Sequence, residues 1–298
     1  MNSKLADETM KNQDSSGSFW RGIWRFVRVG LIIYLVVLLL LIFLENSLIF
    51  PAPRYPAGEW EPADLAYEDV YFDSEDGTRL HGWFVDHPNP KAHVLFCHGN
   101  GECVAYLAEL LKRYRHEFGV SIFAFDYRGY GRSEGSPHEH GVLADGHAAQ
   151  TWLAEKVGVQ LSEVIIVGRS LGGAISVDLA SRNGARALVL ERTFTKMPEV
   201  ASRLYPFLPV KMLMKTQFDS ASKISSYKGP LLSSHGTDDQ IIPFEFGKQL
   251  FEIATSEDKQ FIEESGLGHN DPYSDEYLQA LSDFLELQTN ARRQNEDE

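Results

Sequence analysis

Eight short runs rich in β-branched and aromatic residues punctuate the chain from Tyr67 onward, and they constrain the fold more than any other feature. They are Glu68–Phe72, Arg79–Val85, His93–Cys97, Ser121–Asp126, Val164–Val167, Ala187–Leu190, Pro230–Ser233 and Gln260–Glu263. Helical patterns lie between them at about Val104–Glu117, Gly141–Lys156, Leu171–Arg182, Phe244–Ile253 and, after the last run, Asp275–Leu287. Only a short Asp/Gly turn separates the first two runs, which predicts a hairpin. The later cores VLF, IFAF, VIIV and LVL are apolar without alternation, as in strands covered on both faces. Such a strand–helix rhythm folds into an α/β domain with one mostly parallel sheet flanked by helices. With 298 residues the chain can bury a sizeable core without staples.

Ahead of this body, Val29–Leu44 reads VGLIIYLVVLLLLIFL, sixteen residues without a charge. As a helix it reaches about 24 Å, slightly short of a hydrocarbon core of about 30 Å. Phe26 and Val27 extend it upstream, with Arg28 able to snorkel, and Leu48, Ile49 and Phe50 extend it downstream. A buried core helix would carry a polar stripe, and this run has none. A cleaved signal peptide would have a shorter apolar stretch and a small-x-small site, whereas ENSLIFPAP follows here. A retained transmembrane helix over 26–50 is expected. Arg21, Arg25 and Arg28 precede it, Glu45 follows it, and Arg54 is the one nearby cation beyond. The positive-inside bias then predicts a cytoplasmic tail over 1–25 and the body on the non-cytoplasmic side. Residues 1–18 are polar and expected to be disordered. Pro51, Pro53 and Pro56 stiffen a linker over 51–64, the folded body occupies 65–290, and 291–298 form a C-terminal tail with an acidic end, Asn295–Glu298.

The chain holds 28 basic and 42 acidic residues, a net charge of −14. Residues 1–60 contain six basic and five acidic groups, which leaves 22 against 37, or −15, for 61–298. A body this negative repels phosphate backbones, so nucleic acid is not an expected partner. Cys97 and Cys103 are too few for a disulfide framework or a zinc site, and buried free thiols are expected rather than a bridge.

In an open α/β sheet, ligand sites collect at the carboxyl ends of the strands. Four strand ends here carry reactive or glycine-rich sequence. Gly168-Arg169-Ser170-Leu171-Gly172-Gly173 follows VIIV and opens a helix. A serine nucleophile held out of a sheet on a tight turn needs small residues two before and two after it, which gives G-x-S-x-G. The alternative, a phosphate loop, lacks its lysine and its spacing. His235-Gly236-Thr237-Asp238-Asp239 follows PLLSS, and of its two carboxylates Asp239 is favoured by spacing to orient a histidine. Gly266-Leu267-Gly268-His269-Asn270-Asp271 follows the last strand and offers that histidine. Cys97-His98-Gly99-Asn100-Gly101 follows HVLF and offers an oxyanion-binding amide at Asn100, beside that of Leu171 after the serine. His138, His140 and His147 sit in or near a surface helix and make no secure metal set.

These motifs, with Asp126-Tyr127-Arg128-Gly129-Tyr130-Gly131-Arg132-Ser133-Glu134-Gly135, resemble the α/β-hydrolase superfamily over residues 65–290. With the N-terminal apolar segment they look like membrane-anchored ABHD-type serine hydrolases. Glu134 stands at the third glycine of a dinucleotide G-x-G-x-x-G, so that reading fails. The resemblance implies an α/β-hydrolase fold with a short lid, and Ser170, Asp239 and His269 as catalytic residues. It further implies lipid esters, acyl thioesters or related esters as substrates, with no metal or cofactor. The DYRGYGRSEG stretch would support the nucleophile turn. The apolar, proline-punctuated segment within 191–229 is either a crossover helix with extra turns or a small lid. The rival readings are a serine peptidase or amidase on the same fold and a non-catalytic binding protein, the latter usually lacking one of the three residues.

Overall fold

The computed structural model describes residues 2–296, with side chains over 20–21 and 23–289. The chain divides into two compact units, Met1–Glu45 and Asn46–Glu298. In the first, α1 (Asn2–Phe43) carries the apolar run, and its part Ile23–Phe43 is long and apolar enough to cross a membrane. Residues 2–18, expected to be disordered, continue this helix. Lys, Leu, Ala, Glu and Met there favour it, and no proline occurs before Pro51.

A short helix, α2 (Glu45–Ile49), leads into the second unit. Phe50, grouped with the span on sequence, is 4% exposed in the core of the body, edge-on to Phe218 at 6.2 Å between ring centroids. Ile49 packs against the same core cluster, so Ile49 and Phe50 are part of the body, while Leu48 stays 59% exposed.

The sheet has eight strands: β1 (Glu68–Asp73), β2 (Arg79–Val85), β3 (His93–Cys97), β4 (Ser121–Asp126), β5 (Ile165–Arg169), β6 (Ala187–Glu191), β7 (Leu231–Gly236) and β8 (Lys259–Glu264). Their order is β1-β2-β4-β3-β5-β6-β7-β8. β1 and β2 form the expected hairpin, β2 also runs antiparallel to β4, and the other pairings are parallel. β4 shows why its run is apolar throughout. Phe123 and Phe125 enter one core cluster, with α4 (Glu139–Val157), α5 (Leu171–Asn183) and α9 (Phe244–Ile253). Ile122 and Ala124 enter the other, with α3 (Ala108–His116) and α10 (Asp275–Glu296). Each large side chain buried this way contributes about 1.5–3 kcal/mol. α10 extends the expected helix to Glu296, and Asp297 and Glu298 of the acidic tail lie outside the described residues.

Between β6 and β7 the chain forms three short helices, α6 (Met197–Leu204), α7 (Val210–Leu213) and α8 (Ser220–Lys223), in place of one crossover helix. Pro206 and Pro209 separate α6 from α7, since a proline ring blocks continuation of a helix. The connection from β3 runs to β4 on one side while β5 lies on the other. The crevice of this fold accordingly opens at the carboxyl ends of β3 and β5, where Cys97 is paired with Gly168.

Candidate active site

Ser170 occupies the turn from β5 into α5 with φ +54° and ψ −116°. A non-glycine residue there is strained, and such strain persists where the surroundings over-determine it. The Ser170 N–H donates to the Glu191 carbonyl at 2.8 Å, and the Ser170 carbonyl accepts from Thr193 Oγ1 at 2.8 Å. The flanking glycines are required by space. A methyl group on Gly168 would lie 2.3 Å from Ser176 Oγ, and one on Gly172 would lie 2.0 Å from the Cys97 carbonyl oxygen. The second contact shows the first turn of α5 seated directly on the end of β3.

His269, on the loop after β8, brings Nε2 to 3.0 Å from Ser170 Oγ and Nδ1 to 2.6 Å from Asp239 Oδ2. Asp239 Oδ1 accepts the N–H groups of Ile241 at 2.9 Å and Ile242 at 2.8 Å. His235 Nε2 stands 3.2 Å from Asp239 Oδ2. Burial alone would raise the Asp239 carboxyl, but the hydrogen bonds from His235 and His269 outweigh it and hold the group well below the usual carboxylate range. An ionised Asp239 accepts from Nδ1–H, which leaves Nε2 with its lone pair toward Ser170. Asp238 is exposed, and its carboxylate accepts from Thr237 Oγ1 at 3.3 Å. Of the two neighbours, Asp239 is the one joined to His269.

The loop after β3 lies across from this turn. Leu171 is the first residue of α5, a position whose N–H has no intrahelical acceptor. The Asn100 side chain is fixed at both ends: Nδ2 donates to the Ile49 carbonyl at 2.6 Å, and Oδ1 accepts from Tyr130 Oη at 2.7 Å. Tyr127 Oη donates to the His98 carbonyl at 2.7 Å, and Asp126 Oδ1 accepts the Val104 N–H at 2.8 Å. The Asp126–Tyr130 stretch thus braces the His98–Asn100 loop, and the Cys97 and His98 carbonyls at its start lie against Gly172 of the nucleophile turn. His98 is fully buried against Tyr127 with ring centroids 4.1 Å apart, and burial pushes its imidazole down to about 4. It shapes the loop as a neutral ring.

Four further residues, which sequence reasoning missed, fix this geometry. Arg192, 2% exposed at the end of β6, donates from Nη1 to the carbonyls of His269 at 2.9 Å and Asp271 at 2.6 Å. Its Nη2 also pairs with the buried Glu264 at 3.1 Å. Glu102 Oε2 accepts the Gly99 N–H at 2.8 Å, and its other oxygen pairs with Arg169, the residue before Ser170. A visible signal existed at one of them: LVL runs straight into Glu191-Arg192, charges closing a buried strand. His138, by contrast, caps α4 by accepting the Gly141 N–H at 3.0 Å. Cys97 and Cys103 are free and buried, and burial pushes their thiols up to about 12 and about 11.

Ser170 and His269 open onto a cavity of about 340 Å³ whose walls include Leu48, Ile49, Met197, Val200, Leu204 and Met214. Asn100 and Leu171 also line it.

A strained serine on a strand-to-helix turn, at the carboxyl edge of an eight-stranded mostly parallel sheet, defines an α/β-hydrolase architecture. Residues 88–218 match the family described as serine aminopeptidase, S33. The chain is 38% identical over 209 residues to the uncharacterised protein Rv2307c of Mycobacterium tuberculosis, covering 70% of this chain and 74% of that one. It is 29% identical over 300 residues to the α/β-hydrolase domain-containing protein WAV2 of Arabidopsis thaliana, covering 91% and 96%. Among solved structures it superposes on the Pyrococcus furiosus esterase Pf2001 with a TM-score of 0.67 at 20% identity, covering 80% of this chain and 99% of that one. The chain belongs to the α/β-hydrolase superfamily.

Proposed function

We propose that this chain is a serine hydrolase that cleaves carboxylic ester or thioester bonds of acyl, lipid-like substrates through an acyl-enzyme. The observation that carries this reading is the continuous hydrogen-bonded series Ser170 Oγ, His269, Asp239, with heavy-atom distances of 3.0 and 2.6 Å. His269 Nε2 takes the Ser170 proton as Oγ attacks the carbonyl carbon, and Asp239 stabilises the imidazolium that forms. The Asn100 and Leu171 N–H groups receive the oxyanion, each such donor being worth roughly 2.7–4 kcal/mol. Collapse of the tetrahedral intermediate expels an alcohol or thiol, which takes the proton from His269. Water then attacks the acyl-enzyme, His269 takes a proton from it, and the carboxylic acid leaves with Ser170 restored.

Apolar walls favour an acyl chain over a peptide. The matched family's name favours an aminopeptidase, whose substrate ammonium would need a carboxylate in the cavity. Glu102 lines it but is already committed to Arg169 and the Gly99 N–H. Hydrolysis of p-nitrophenyl esters of increasing acyl length, alongside aminoacyl p-nitroanilides, separates the readings. Burial of each methylene should raise kcat/KM about fourfold until the cavity is filled, the equivalent of ~0.8 kcal/mol. A flat series with faster anilide cleavage would favour the peptidase.

A further inference from the structure

α6 presents Met197, Val200, Ala201 and Leu204 to the cavity, the i, i+3, i+4, i+7 positions of one helical face. That face does not end at the cavity. Leu204 and Tyr205 line it, yet they are 49% and 57% exposed, and beyond them Phe207 and Met212 are 91% and 85% exposed. The apolar lining of the Ser170 cavity therefore reaches the surface at Leu204 and Tyr205, close in sequence to the exposed Phe207 and Met212. Pro206 and Pro209 hold the tip on restricted backbone, so the exposed aromatics are presented at little entropic cost. The charge of this segment is opposite to that of the chain. Residues 196–215 hold four basic groups, Lys196, Arg203, Lys211 and Lys215, and one acidic group, Glu199, in a protein of net charge −14. Lys196 is paired with Asp219, while Arg203 and Lys211 are exposed beside the apolar tip.

Aromatic and aliphatic side chains ringed by cations match the boundary between acyl chains and anionic headgroups. We infer that the tip formed by Tyr205, Phe207 and Met212 is a docking surface for an anionic lipid bilayer, through which an acyl chain passes from lipid into the Ser170 cavity. This rests on the acyl-hydrolase reading above for the fate of the chain, though not for the docking itself. It also accords with Ile23–Phe43 as a membrane span, which would tether the body to a bilayer.

The test uses the full chain in nanodiscs containing about one-third phosphatidylglycerol. In Phe207→Cys, an environment-sensitive fluorophore attaches at position 207, because Cys97 and Cys103 are buried. The inference expects quenching by spin-labelled lipid, weaker in wholly neutral discs. In parallel, Phe207→Asp/Met212→Asp should lower hydrolysis of a long-chain ester dissolved in the disc ~10-fold or more. Hydrolysis of a water-soluble butyrate ester and labelling by a fluorophosphonate should change less than twofold, since neither residue lines the cavity. A fluorophore untouched by lipid quenchers overturns the docking surface, as does a doubly substituted chain with undiminished long-chain turnover. Protection of the fluorophore only at protein densities that pair two chains would mean that the surface meets a second copy, and it too overturns the inference. If wild type neither turns over an ester nor takes the probe, the hydrolase reading fails, while quenching still decides the docking.

Discussion

At the scale of single residues, the ambiguity between Asp238 and Asp239 shows what spacing can and cannot carry. Two adjacent carboxylates are equivalent in sequence, and only the turn that sends Asp239 under Ile241 and Ile242 and leaves Asp238 in solvent separates them. Asp239→Asn should reduce kcat by about 10³–10⁴, since the amide favours the wrong imidazole tautomer, whereas Asp238→Asn should stay within a few-fold. Steady-state kinetics on one ester distinguishes them, and comparable losses in the two variants would contradict the assignment. His98 makes a separate prediction about pH. Its folded value of about 4 lies below the ordinary ~6.5, so its neutral form contributes stability that is fully present above about pH 6.5. That contribution is lost as pH falls toward 4, where the unfolded chain is protonated and the folded ring is not, a loss on the order of 3 kcal/mol. Unfolding midpoints taken from pH 7 to 4.5 should fall more steeply for wild type than for His98→Gln, and parallel curves would rule this out.

At the scale of elements, the strands and most helices were legible because burial on both faces writes continuous apolar runs, and Arg79–Val85, His93–Cys97 and Ser121–Asp126 are observed with the limits expected. G-x-S-x-G was legible for a steric reason, the 2.0–2.4 Å clashes that any side chain at Gly168 or Gly172 would meet. The clamps were not. Arg192 and Glu264 lie 72 residues apart and meet only because β6 and β8 both flank β7, a pairing that no local pattern records. Arg192→Gln leaves the buried Glu264 carboxylate uncompensated and should cost roughly 3–5 kcal/mol. Adding Glu264→Gln should recover part of that loss. Thermal midpoints of the single and double variants measure the coupling, and strict additivity would mean that the pair does not hold the His269 loop.

At the scale of the whole molecule, the apolar run of α1, long and apolar enough to cross a membrane, is set against a strongly negative body. The apolar helix long enough to span was legible in its centre and not at its downstream edge, because Ile49 and Phe50 are equally apolar whether they face lipid or a protein core. Arg21, Arg25 and Arg28 on one flank predict that the body lies on the non-cytoplasmic side. A membrane-impermeant amine label added to sealed right-side-out vesicles should modify the body before permeabilisation, and labelling only afterwards would reverse the orientation. The central claim, that Ser170 is an activated nucleophile, is tested most directly by treating the full chain with a fluorophosphonate and mapping the adduct by peptide mass. The account predicts a single adduct on Ser170, absent in Ser170→Ala and slowed at least a hundredfold in His269→Ala. An adduct on another residue, or one that persists in Ser170→Ala, would contradict it.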